Sequence, residues 1–149
     1  MNFNINVSDQ IDSAARAAIA KGLRAFNTQQ TGVDDYRPLV ALLNNSDGEA
    51  VGGLTGHTVY GWLFVEWLFV PAELRGRRIG TQLMQHAERE ARSRGCIGAW
   101  LDTFQFQARG FYERNGYRCF GELVDFPPGQ SRYFMRKDLA GDAVVRDDL

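Results

Sequence analysis

Apolar and polar positions switch repeatedly between a two-residue and a 3.6-residue period, which divides the chain into short strands and amphipathic helices. Phe3, Ile5 and Val7 alternate with Asn2, Asn4 and Asn6, which predicts a first strand. Ser8 or Asp9 then suits a helix N-cap, and Ile11, Ala15, Ala18, Ile19, Leu23 and Phe26 line one face of a helix running to about Phe26. Asn27 to Tyr36 is polar, holds Gly32 and reads as a loop. Leu39–Leu43 is strand-like, Asn44-Asn45-Ser46-Asp47-Gly48 is a hairpin turn, and Glu49–Tyr60 returns as a strand loosened by glycines. Gly61 punctuates the chain before the apolar run Trp62–Val70.

Ile79, Leu83, Met84, Ala87 and Ala91 recur at helical spacing, with Gln82, Gln85, Glu88, Arg89 and Arg92 on the other face and Gly95 at the end. Ile97–Thr103 is a short buried strand and Gln107–Arg114 a short helix closed by Asn115-Gly116. Tyr117–Val124 and Arg132–Arg136 form an antiparallel pair around Pro127-Pro128-Gly129, where Pro128-Gly129 suits a type II turn. The order β-α-β-β-β-α-β-α-β-β places antiparallel strands first and one strand–helix–strand crossover in the middle. That is an α+β (mixed α/β) domain spanning residues 1–139, with residues 140–149 as a frayed, charged tail.

Composition narrows the function more than the fold. The 149 residues suffice for one packed domain, and 44% hydrophobic residues with 12% aromatics supply an ordinary core. Seventeen basic residues against eighteen acidic ones argue against broad nucleic-acid binding. The N-terminus lacks the charge of a signal peptide, and Trp62–Val70 is too short to cross a bilayer, so neither export nor membrane anchoring is expected. Cys96 and Cys119 lie far apart with no metal-ligand spacing, which fits two buried thiols in a reducing cytoplasm.

Candidate chemistry concentrates in Leu68-Phe69-Val70-Pro71-Ala72-Glu73-Leu74-Arg75-Gly76-Arg77-Arg78-Ile79-Gly80-Thr81. An apolar strand enters a turn, then an Arg/Gly loop, then a helix. That order aims free backbone N–H groups and a positive dipole end at one point, which suits phosphate or pyrophosphate. No G-K-[ST] follows the loop, and no G-x-G-x-x-G with a downstream acid is present, so P-loop and Rossmann nucleotide sites are disfavoured.

Val70-Pro71 followed by Arg75-Gly76-Arg77-Arg78-Ile79-Gly80 resembles the acyl-CoA pyrophosphate loop of the GNAT N-acetyltransferases. Ala108-Arg109-Gly110-Phe111-Tyr112-Glu113-Arg114-Asn115-Gly116-Tyr117 resembles that family's A-x-x-F-Y-E-K-x-G-F segment. The two blocks stand in the family's order, and the resemblance covers roughly Phe3 to Leu139. It departs at Arg78, where the family usually has glycine in the middle of the loop. An arginine there needs a backbone conformation that tolerates a Cβ, or adds a charge to the phosphates.

The resemblance implies a GNAT-like fold, a central, mostly antiparallel sheet flanked by helices. It also implies an N-acetyltransferase that moves acetyl from acetyl-CoA to a primary amine of a small molecule or peptide. Attack would be direct, in a ternary complex, with no metal. The N–H groups from Gly76 to Thr81 would hold the pyrophosphate, and pantetheine would lie along Leu68, Phe69 and Val70, provided that the neighbouring strand splays away. Tyr112 would protonate the departing thiolate. Glu66, the one charge in its strand, must be paired, solvated or functional, and in the family a strand glutamate nearby deprotonates the amine. Asp102 is the rival base or ammonium anchor. Gln105 stands where the family often has a pantetheine-binding asparagine. A non-catalytic acyl-CoA-binding or sensing module is the alternative. Exposed strand edges and aromatic C-terminal strands invite homodimerisation.

Overall fold

The computed structural model describes residues 1–140, arranged as two compact units, Met1–Asp34 and the chain from Asp35 onward. The expected fraying of the tail falls almost wholly on residues 141–149, outside the described residues. The first unit is a single helix, α1 (Ser13–Thr31), preceded by twelve residues without regular structure. The expected strand over Phe3–Val7 is absent: three asparagines spaced between the apolar residues are poor strand formers, and the segment has no ladder partner. The N-cap is Asp12, whose Oδ1 accepts from Ala14 N (2.9 Å) and Ala15 N (3.3 Å). Ser8 instead accepts from Gln10 N in a local turn. Residues 27–31, expected as loop, continue the helix until Gly32 closes it in the left-handed region.

The second unit is a six-stranded sheet in the order β1-β2-β3-β4-β6-β5. Its strands are β1 (Arg37–Asn44), β2 (Ala50–Val59), β3 (Trp62–Phe69), β4 (Gly98–Phe104), β5 (Arg118–Val124) and β6 (Ser131–Asp138). Only β3 and β4 run parallel, joined through α2 (Ile79–Ser93); α3 (Arg109–Arg114) links β4 to β5. The first turn is held by Asn45, whose Oδ1 accepts from Asp47 N and Glu49 N at 2.9 Å. Tyr60 and Gly61 both take positive φ (52° and 78°), giving the two-residue hairpin whose twist matches its strands.

One face of the sheet and the inner faces of α2 and α3 share a single core, with Leu54, Leu63, Met84, Leu101, Met135 and Leu139 fully buried. Helix α2 departs from its periodicity at Glu88, expected on the solvent face but only 2% exposed. The two cysteines also differ: Cys96 is buried, whereas Cys119 is exposed, beside an irregularity in the β5–β6 register.

Candidate active site

The feature that opens a site is a break in the ladder between β3 and β4. Their parallel pairing starts at Trp62 and Gly98 and stops at Val65 and Leu101. Both strands continue, but to different partners: Trp67, Leu68 and Phe69 pair only with β2, and Asp102, Thr103 and Phe104 only with β6. The strands splay and leave backbone groups of β3 facing a gap in the middle of the sheet. The register of β2 against β3 slips at the same level, because Thr55 pairs with Trp67 while its neighbour Gly56 pairs with Val65. Glu66 is thus the extra residue of a β-bulge.

The gap opens into a cleft of about 1050 Å³. At one end stands the Arg/Gly loop. A 3₁₀ turn over Ala72–Leu74 brings the chain round, and Arg75 Nε donates to the Val70 carbonyl at 3.0 Å, fastening the loop to the end of β3. Gly76 has φ +79° and Arg78, at the N-cap of α2, has φ +61°. Arg78 therefore occupies the left-handed region that glycine enters freely, at a cost of roughly 1 kcal/mol. Its carbonyl accepts from Gln82 N at 3.0 Å, the first α-helical bond of α2. The N–H groups of Ile79, Gly80 and Thr81 precede that bond and have no acceptor within the helix. Gly80 sits against Phe111: a Cβ there would lie 3.1 Å from the ring. Arg75, Gly76, Arg78, Ile79, Gly80 and Thr81 line the cleft, whereas Arg77 does not.

Across the cleft, α3 presents Tyr112, 8% exposed, with its ring edge-on to Phe111 (5.1 Å) and to Tyr117 (6.0 Å). Burial, reinforced by the Asp102 carboxylate, pushes the Tyr112 phenol up to about 12. The hydroxyl is held as a neutral donor at every physiological pH.

Glu66, Asp102 and Tyr112 all line this cleft, with Leu68, Phe69 and Val70 along its strand side. Glu66 is exposed rather than buried, so of the alternatives open to a lone strand carboxylate it is a solvated one. Asp102 is engaged: Arg132 donates to its Oδ1 from Nε at 2.9 Å and again from Nη2. The Arg132 guanidinium also lies 5.0 Å and 4.9 Å from the Phe104 and Phe126 ring centres. Gln105 faces elsewhere, its Oε1 accepting from Ser131 N at 2.9 Å. Its neighbour Gln107 enters the cleft, Oε1 accepting from Phe104 N at 2.9 Å. Loop polarity alone did not separate the two amides.

His57 lies between the rings of Tyr36 and Phe64 in tilted contacts (4.8 and 5.4 Å), and burial holds it below the ordinary imidazole range against the opposing pull of Glu66. Among the described residues no group of three or more His, Cys, Asp or Glu side chains is placed to hold a metal ion. No helix among them is long and apolar enough to cross a membrane.

A model of the acetyltransferase (GNAT) family matches residues 11–117. An acetyltransferase of Agrobacterium fabrum is 42% identical over 135 residues, covering 91% of this chain and 98% of its own. The blasticidin-S acetyltransferase of Streptomyces morookaense is 41% identical over 121 residues, covering 78% of this chain and 88% of its own. In three dimensions, the crystal structure of an acetyltransferase from Agrobacterium tumefaciens superposes with a TM-score of 0.87 at 42% identity, over 91% of this chain and 99% of that one. The sheet broken between its two parallel strands, the loop that feeds α2 and these likenesses lead to one conclusion: the chain belongs to the GNAT family of acetyltransferases.

Proposed function

We propose that the protein is an N-acetyltransferase that moves acetyl from acetyl-CoA to a primary amine of a small molecule, by direct attack in a ternary complex. The observation that carries this reading is the splay beyond Val65 and Leu101, with an anion-binding helix start at one end and a buried phenol beside it. An extended pantetheine arm has the shape and the hydrogen-bonding groups of the missing strand, so Leu68, Phe69 and Val70 would hold it by main-chain bonds. The N–H groups of Gly76 to Thr81 would take the pyrophosphate. The thioester supplies the activated acetyl group.

Glu66 would receive the ammonium proton, directly or through water, since its solvated position keeps it reachable. Asp102, already neutralised by Arg132, is the weaker candidate for that step. Tyr112 would donate to the sulfur as the carbon–sulfur bond breaks. A small cationic amine suits a cleft that is lined by Glu66. The relative that acts on blasticidin S makes that compound a rational first member of an amine panel.

Thermal-shift measurements with CoA, acetyl-CoA, ATP and NAD, followed by thiol release across the panel, test the proposal. Stabilisation by CoA and acetyl-CoA with amine-dependent thiol release is expected. Stabilisation by ATP alone would overturn the reading, and tight acetyl-CoA binding without transfer to any amine would leave only a binding module.

Arg78 separates geometry from charge at the loop. Arg78→Gly relieves a left-handed side-chain position and should raise stability by roughly 1 kcal/mol. If the guanidinium contacts phosphate, the same variant binds acetyl-CoA about tenfold more weakly. Equilibrium denaturation and calorimetric titration read the two effects separately, and an unchanged affinity would assign the anion site to the backbone alone.

A further inference from the structure

Beside Tyr112 lies a charged cluster that the proposed chemistry does not use, its carboxylate buried and its lysine, Lys137, half-buried on the cleft wall. Glu88 of α2 is 2% exposed, and both of its oxygens are taken: Tyr117 Oη donates to Oε2 at 2.9 Å and Lys137 Nζ to Oε1 at 2.8 Å. The three residues come from α2, the α3–β5 junction and β6, separated by 29 and 49 positions from Glu88. Lys137 also packs under the turn at Gly116, where a Cβ would meet its side chain at 3.2 Å.

An ion pair with its carboxylate buried and its ammonium half-buried gives little net stability, because desolvation offsets much of the attraction. Well-packed apolar residues would hold the same three elements together about as well. What the cluster supplies beyond adhesion is direction, and its direction bears on Tyr112. The Tyr117 ring meets the Tyr112 ring edge-on at 6.0 Å, and Tyr117 N donates to the Tyr112 carbonyl at 3.0 Å. Tyr117 therefore fixes both the side chain and the backbone of Tyr112, and Glu88 with Lys137 fixes Tyr117.

We propose that Lys137, Glu88 and Tyr117 are positioning residues for the Tyr112 phenol, coupling the helix that starts at the anion loop to the helix that carries the acid. The inference rests on the proposed role of Tyr112 for its purpose, but its geometry can be tested without turnover. The groups that face Tyr112 are Asp102 from β4 and Tyr117 from the junction before β5; Arg92 of α2 acts on Tyr117 in opposition to Glu88.

The test is carbon-13 NMR of tyrosine Cζ in the full chain, with the Tyr112 signal assigned from Tyr112→Phe. In the wild type that signal stays flat up to about pH 10.5, since burial keeps the phenol protonated. In Tyr117→Phe and Glu88→Gln, loss of the clamp lets water reach Tyr112. Its signal then moves at neutral pH and its ionisation falls by about one unit, into the titrated range. Acetyl-CoA affinity by calorimetry stays within about twofold, because no residue of the loop is touched.

An unchanged Tyr112 signal and titration in folded Tyr117→Phe would overturn the inference. So would a parallel loss of acetyl-CoA affinity, which would make the cluster a general support of the cleft. Tyr117→Phe keeps the ring and the Glu88–Lys137 pair, so it remains decisive should Glu88→Gln fail to fold. A Tyr112→Phe enzyme with undiminished thiol release would instead remove the acid role and leave the positioning result standing.

Discussion

Replacing Tyr112 by Phe is expected to lower turnover by about a hundredfold or more while acetyl-CoA affinity stays within about twofold. The substitution removes one oxygen from a buried ring and keeps the ring itself, so the edge-on contacts with Phe111 and Tyr117 persist. Only the hydroxyl, the proposed proton donor, is lost. The raised phenol also sets a pH signature. Ionisation at about 12 extends the protonated form upward from the ordinary phenol range, so Tyr112 should impose no alkaline decline in kcat below about pH 11. A phenol this weak transfers its proton uphill to an ordinary thiolate. A thiolate held in the same cleft would have its proton affinity raised by burial too, which narrows the gap. Steady-state kinetics of the variant, with thiol detection across pH, check both points; undiminished turnover would remove Tyr112 from the chemistry.

The second large effect concerns the fold. Gly56→Ala should destabilise the protein by on the order of 3 kcal/mol or more, lowering the melting temperature by roughly 10 °C. A Cβ at Gly56 would stand 2.0 Å from the Phe64 carbonyl oxygen and 3.3 Å from Val65 Cα, both backbone atoms that cannot turn aside. The strands would have to separate beside the bulge that sets Glu66 out from the ladder. Urea denaturation measures the loss, and a shift below about 1 kcal/mol would show that β2 relaxes freely there.

The fold was largely legible because its signals are local. The period of α2, the Asn44–Gly48 turn, the break at Gly61 and the Arg/Gly loop are each carried by residues close together in the chain. The first helix starts later than its local signals predict because Ser8, Asp9 and Asp12 are all competent caps, and the choice among them is not written in their side chains. The alternation of Phe3, Ile5 and Val7 has the strand period, but a period does not supply a partner strand.

Site residues were legible in proportion to their closeness in sequence. Tyr112 and the loop lie in contiguous motifs. Arg132 reaches Asp102 across 30 positions, and Lys137 reaches Glu88 across 49, so neither pairing has a local trace. Glu88 also shows why a helical wheel misleads at its margin: a charged residue at the edge of the apolar face reads as solvated until a partner from another element covers it. Gln105 and Gln107 differ only in which way a short loop turns. The splay itself follows from β3 and β4 leaving each other for different neighbours, a property of the whole sheet.

That splay reorders the sheet's resistance to exchange with solvent. In an ordinary sheet the outer strands open first and the central amides are the slowest to exchange. Here β3 and β4 are the two middle strands, yet beyond Val65 and Leu101 they have no ladder between them. A line of exchange-prone backbone amides therefore runs through the centre of the sheet as well as along its rim.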